Sequence, residues 1–334
     1  MMIDAHNHLL MSHAVWDSQA PEALDMDAVV NRLRQGQLAA VGLVVGGDQA
    51  FPSTQAASSW EGTLRALAQY WSGTTRASHS FVTIRNTYDL KALSDESPGF
   101  LLCLEGMHAC FDSPFQDPLA ALRLLVQLGV RSIQFVAAPQ TPLLTDPESG
   151  PRRLTEMGRE MVSEANRLHL IIDVSHLSGD EPAFLEILEL SSTPPIASHH
   201  SCRSVTGNTQ AISDKAIRAL ASAGGVIGIH LGSHWLNNEN RQATTDDFRM
   251  HVTRIVDLVG IDHVAVGTDH VDVGALPREL PEGMFMSGFG GPEDSHVIAE
   301  ALADAGYSVT DCQKVLCSNV RRVWQAALMG SDGA

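Results

Sequence analysis

Short apolar runs bounded by turn residues alternate with longer segments of helical periodicity. Eight runs stand out: MMIDAH (1–6), AAVGLVVGG (39–47), GFLLCLEG (99–106), VRSIQFVAA (130–138), HLIIDVSH (169–176), PPIASHH (194–200), GGVIGIHLG (224–232) and DHVAVGTD (262–269). Most lack clean alternation. Strands that are apolar throughout are covered on both faces, as in parallel sheets. Between them, residues 117–129, 155–169, 213–225 and 244–260 carry apolar residues at helical spacing, with Thr155 placed as an N-cap and Ser213-Asp214 as a helix start. Strand–helix alternation through eight strands predicts a distorted α/β fold of the (β/α)8 TIM-barrel type. A doubly wound open sheet is the alternative. It loses support because no GxGxxG follows the first strand and no GxxxxGK[ST] occurs. One domain over residues 1–328 is expected, with 329–334 as a frayed tail. Residues 86–99 read as a helix and turn. Residues 271–292, rich in Gly and Pro, read as an irregular loop and candidate lid.

Composition narrows the classes. The chain has 334 residues, 44% hydrophobic, enough for a large single core. A net charge of −17 argues against binding a nucleic-acid backbone. Five cysteines, an odd number without a CxxC pair, argue against a disulfide scaffold or zinc ribbon and for a reducing compartment. No run approaches 18 apolar residues and no basic, apolar leader precedes Asp4, so the expected location is cytoplasmic, with no membrane partner.

The chemistry falls where such a barrel places it, at the C-terminal ends of strands. Those ends hold His6 and His8, Glu105, His176, His199 with His200, His230, and Asp269 with His270. On a strand, residues i and i+2 face one side, so His6 and His8 can reach one ion. Each position alone also reads as a surface strand end or a core histidine. Together, imidazoles and carboxylates from separate strands are what a divalent metal site needs.

The segments IDAHNH, LEGMHA, LIIDVSHLS, IASHHS and HVAVGTDHVD occur in the order and spacing of the membrane (renal-type) dipeptidases of the amidohydrolase superfamily, and the chain resembles that family from residue 2 to about 327. The resemblance implies a cofactor of two divalent metal ions, zinc by expectation. His6, His8 and Asp269 would bind one ion and His176 and His199 the other, with Glu105 bridging. Asp269 would also carry the proton of the bridging water. Three departures stand out. His8 replaces the family's usual aspartate. Ala137 stands where the family has a substrate-contacting histidine. Gln210 stands where it has the arginine that holds the dipeptide's carboxylate. Arg203, Gln210, His230 and His270 are taken as candidate substrate contacts, with Arg203 a substitute cation.

The leading expectation is a metal-dependent hydrolase of the amide bond of a small-molecule substrate, most simply a dipeptide. Its alternatives are a hydrolase of another small amide or ester (an N-acyl amino acid, a modified dipeptide, a lactam or a lactone) and a non-catalytic metabolite-binding relative. The family is often homodimeric, which the apolar helices here allow.

Overall fold

The computed structural model describes residues 1–10, 25–46, 59–137, 141–271 and 282–332. The eight apolar runs form strands and a short ninth, β3, joins them: β1 (Met2–Asn7), β2 (Leu38–Val44), β3 (Val82–Thr83), β4 (Gly99–Glu105), β5 (Val130–Gln134), β6 (Ile171–Asp173), β7 (Ile196–His200), β8 (Val226–Ile229) and β9 (Val264–Val266). They run parallel in the order β1-β2-β4-β5-β6-β7-β8-β9. The two-residue β3, too short to show any pattern in sequence, pairs with β4 off this path. The ring is nearly closed beyond β9, where Asn7 bridges His270, Asp269 N–H donates to His6 O at 3.0 Å and His8 N–H to His270 O at 2.8 Å. This is the expected α/β barrel, not an open sheet.

The helices follow their caps. Thr155, Ser213 and Asp117 accept from main-chain N–H groups at the starts of Glu156–Arg167, Asp214–Ser222 and Pro118–Gln127. Thr244 and Asp247 form a capping box on Thr245–Val259. None of the helices among the described residues is long and apolar enough to cross a membrane.

Two features shape the barrel around its site. First, a Cβ on Gly228 or Gly267 would fall 1.9 or 1.8 Å from the Ser198 carbonyl oxygen. Only glycine lets β7 lean in this far, which brings the His199 ring to 4.0 Å from that of His6. Second, the C-terminal helix Asn319–Leu328 plugs the opposite end. Its Val320, Val323, Trp324, Ala327 and Leu328 share one apolar cluster with Ile3, Leu101, Ile171, Ile196, Val226 and Ala265 of the strands. That spacing is one helical face. With this end filled by side chains, the polar strand ends lie at the other mouth.

Within the expected tail, the Asp332 carboxylate accepts from Thr87 N–H at 2.9 Å and Thr87 Oγ1 at 2.6 Å. Of the candidate lid, residues 272–281 lie outside the described residues.

Candidate active site

The six residues expected to bind metal meet at this mouth, and Glu105 stands in the middle of them. It ends β4, buried, and its two oxygens face different imidazoles. Oε2 lies 3.2 Å from His8 Nε2 and 3.7 Å from His6 Nε2. Oε1 lies 3.2 Å from His176 Nε2 and 4.0 Å from His199 Nε2. Asp269 Oδ1 closes the first group, 2.8 Å from His8 Nε2 and 3.6 Å from His6 Nε2. The Nε2 atoms of His6 and His8 are 3.2 Å apart, and those of His176 and His199 are 2.9 Å apart.

Buried carboxylate oxygens normally accept hydrogen bonds, because an unpaired one costs the desolvation of a charge. Glu105 Oε2 and Asp269 Oδ1 are buried and accept none. Both point at the same imidazole nitrogens. A divalent cation is what such a donor set satisfies: carboxylate oxygens and imidazole nitrogens converging from separate strand ends, with Glu105 Oε2 and Asp269 Oδ1 left without a hydrogen bond. Two groups of ligand atoms lie close enough to share an ion, His6–His8–Asp269 and His6–Glu105–His199. The residues therefore fit a metal centre.

The electrostatics agree. Burial pushes the Glu105 carboxyl up, but His8, His176 and His6 outweigh it and hold the group well below the carboxylate range. Burial likewise pushes Asp269 up, and the surrounding imidazoles, His230 foremost, more than reverse it. Burial, then the neighbouring His6, drives His199 well down, so its imidazole is neutral and able to ligate.

Residues that the sequence reading did not single out orient the ligands. Ser198 Oγ lies 2.9 Å from Nδ1 of His199, 3.3 Å from Nδ1 of His6 and 3.3 Å from Ser175 Oγ. A hydroxyl oxygen can accept from both Nδ1–H groups while its own proton goes to Ser175. Both Nε2 lone pairs then face the centre. Asp4 accepts from Thr268 N–H at 2.8 Å, Thr268 Oγ1 at 2.6 Å and Asn7 Nδ2 at 2.8 Å, tying β1 to the segment carrying Asp269. Asp173 accepts from Ser175 N–H at 2.9 Å and Ser198 N–H at 3.1 Å, tying β6 to β7. Their sequence signal is weak but present, since each stands one to three residues before a candidate ligand.

His176 and Asp269 do not continue their strands. Both have left-handed backbones, φ 64° and 52°. For residues with a Cβ this costs on the order of 1–3 kcal/mol and persists where the surroundings enforce it, as functional sites do.

The four candidate substrate contacts separate. His230 is in the site, its Nε2 2.8 Å from Asp269 Oδ2. Gln210 is exposed beside Gly179 on the loop after β6. Arg203 and His270 need correction. Arg203 donates through Nε to Ala211 O at 3.0 Å and through Nη2 to Ser178 O and Thr209 O at 2.8 and 2.9 Å, so this edge of the guanidinium fastens loops together rather than facing a substrate. His270 is fully buried, with Nε2 2.9 Å from Gly290 O and its ring against Phe285 and Phe289. It is a core histidine. His200 is also buried, bonded to Ser178 Oγ at 2.9 Å, and burial takes it down to about 3.

Comparison with known proteins matches the sequence to one family across nearly the whole chain. The sequence profile described as membrane dipeptidase (peptidase family M19) matches residues 1–331. The chain belongs to the membrane dipeptidase family. It is 28% identical over 230 residues to an uncharacterized protein in the pqqA 5' region of Klebsiella pneumoniae, covering 64% of this chain and 79% of that protein. It is 29% identical over 230 residues to the dipeptidase tcpJ of Claviceps purpurea, covering 67% of this chain but only 49% of that one. Among solved structures, a metallopeptidase of Rhodobacter sphaeroides bound to a phosphinate mimic of the dipeptide L-Ala-D-Ala superposes with a TM-score of 0.75 at 21% identity, over 98% of this chain and 99% of that one. At that identity the superposition establishes the fold. Membership makes the protein a hydrolase of the dipeptidase family.

Proposed function

We propose that the protein hydrolyses the amide bond of a small dipeptide at a centre for two divalent metal ions, zinc by the family's precedent. The observation that carries this reading is the division of one buried carboxylate, Glu105, between two imidazole groups. With one oxygen towards each imidazole pair, this carboxylate is placed to serve two ions. In the proposal His6, His8 and Asp269 would hold one ion and His176 and His199 the other, with Glu105 available to both. When bound, such a pair supplies Lewis acidity and lowers the pKa of a shared water.

The chain's own groups then have defined tasks. Ser198 keeps the His6 and His199 Nε2 atoms turned inward. Asp269 accepts the proton of the attacking water and returns it to the leaving amine. The dipeptide substrate is supported by the family and by the ligand of the Rhodobacter sphaeroides relative.

A second reading, hydrolysis of a small amide without a free carboxylate, is favoured by Gln210, Ala137 and the engaged guanidinium of Arg203. One screen separates the two: L-L, L-D and N-acyl dipeptides beside lactams, each with a free or blocked carboxylate. Turnover that falls on blocking supports the dipeptide; turnover that does not supports the second reading. Asp269→Asn should lower hydrolysis by about 10²–10⁴-fold. Near wild-type turnover in that variant would exclude Asp269 as the proton carrier.

A further inference from the structure

We propose that His230 is a positioning residue that holds Asp269 through Oδ2 and thereby presents Oδ1 to the metal centre. The inference rests on the metal reading above and assigns a role that the ligand set does not include. His230 follows β8 and is nearly fully buried. Gly232 N–H donates to its Nδ1 at 2.6 Å. A neutral imidazole carries one proton, and with Nδ1 accepting, that proton sits on Nε2. A proton on Nδ1 would point straight at the Gly232 N–H. The Nε2–H therefore faces Asp269 Oδ2, 2.8 Å away.

Two consequences follow. His230 has no lone pair at Nε2 to give a cation, although it approaches Asp269 as closely as His8 does. In this it is the reverse of His6 and His199, whose Nδ1 atoms face a hydroxyl that can accept. The other consequence concerns Asp269. Its left-handed backbone does not fix its side chain as a strand would. With Oδ2 taken by His230, the buried, unbonded Oδ1 is left facing His6 and His8.

The arrangement is built for this. A Cβ at position 232 would lie 2.6 Å from His230 Cε1 and 3.0 Å from Nδ1, so only glycine lets the main-chain N–H approach. Ring contacts with His199 and Trp235, at centroid distances of 5.9 and 5.7 Å, hold the imidazole in place.

The test is zinc affinity, read by chelator competition on wild type, His230→Ala and His230→Gln, with metal-free melting curves as fold controls. The glutamine amide nitrogen reaches about where Nε2 does and can donate. His230→Ala should weaken zinc binding by about 10–100-fold, and His230→Gln should recover most of that loss. Wild-type affinity in the alanine variant, or a glutamine variant as weak as alanine, overturns the role. Imidazole ¹⁵N spectra of the metal-free wild type give an independent reading. His230 protonated on Nε2 supports the proposal, and protonation on Nδ1 overturns it. A wild type that binds no zinc, with His230 protonated on Nε2, instead points to failure of the metal reading.

Discussion

Ser198 Oγ lies 2.9 Å from Nδ1 of His199, and the same oxygen reaches Nδ1 of His6 on a strand 192 residues earlier in the chain. One hydroxyl is thus placed to accept from the imidazoles of both His6 and His199. Ser198→Ala should weaken metal binding by about 10-fold or more without unfolding the protein, and Ser198→Thr should restore much of it. Chelator competition on the two variants checks this. Equal affinities for wild type and alanine would show that the hydroxyl does not orient the rings.

The lean of β7 into the barrel depends on Gly267. A methyl group there meets the Ser198 carbonyl at 1.8 Å, and the carbonyl is main chain, so it cannot swing aside. Gly267→Ala should cost about 1–3 kcal/mol or more through overpacking. It should also move His199 away from His6. The expected result is a lower urea midpoint together with reduced metal uptake. Loss of neither would mean that the close approach is not needed.

Acid sensitivity should arise partly outside the site. Glu164 accepts from Arg167 at 2.6 Å and Arg123 at 2.6 Å, and these bonds, Arg167 foremost, hold its carboxyl down to about 2. The folded-state value is depressed below the ordinary one. Glu164 therefore adds stability above about pH 4.5, and that contribution is lost as pH falls towards 2. Glu164→Gln should be less stable than wild type by on the order of 2 kcal/mol at pH 7, with the gap shrinking as pH falls below about 4.5 and closing only below about pH 2. Urea titrations across this range test this; a gap independent of pH would exclude linkage through Glu164.

The strand ends were legible because the apolar runs are uninterrupted and stop at ionisable residues. LLCLEG leaves little choice about where Glu105 stands. The capping residues Thr155 and Ser213 were equally readable, since their bonds are local. What sequence did not separate were residues of the same type in the same kind of position. His230 and His270 both follow strands, yet one faces Asp269 and the other Gly290 O among phenylalanines. Tertiary packing decides between them. Strands β6 and β9 end three residues before His176 and Asp269, which stand beyond them in left-handed conformations. The carbonyl partners of Arg203, on the loop after β6 and on its own loop, come together only in the fold, so no local pattern marks them.

The central claim is that Glu105 spans two metal ions. Metal analysis of the wild type after zinc reconstitution, beside Glu105→Gln, tests it most directly. Two zinc ions per chain in the wild type and one or none in Glu105→Gln are predicted. A wild type that holds no more than one ion at saturation, or a glutamine variant that keeps both, would contradict the account.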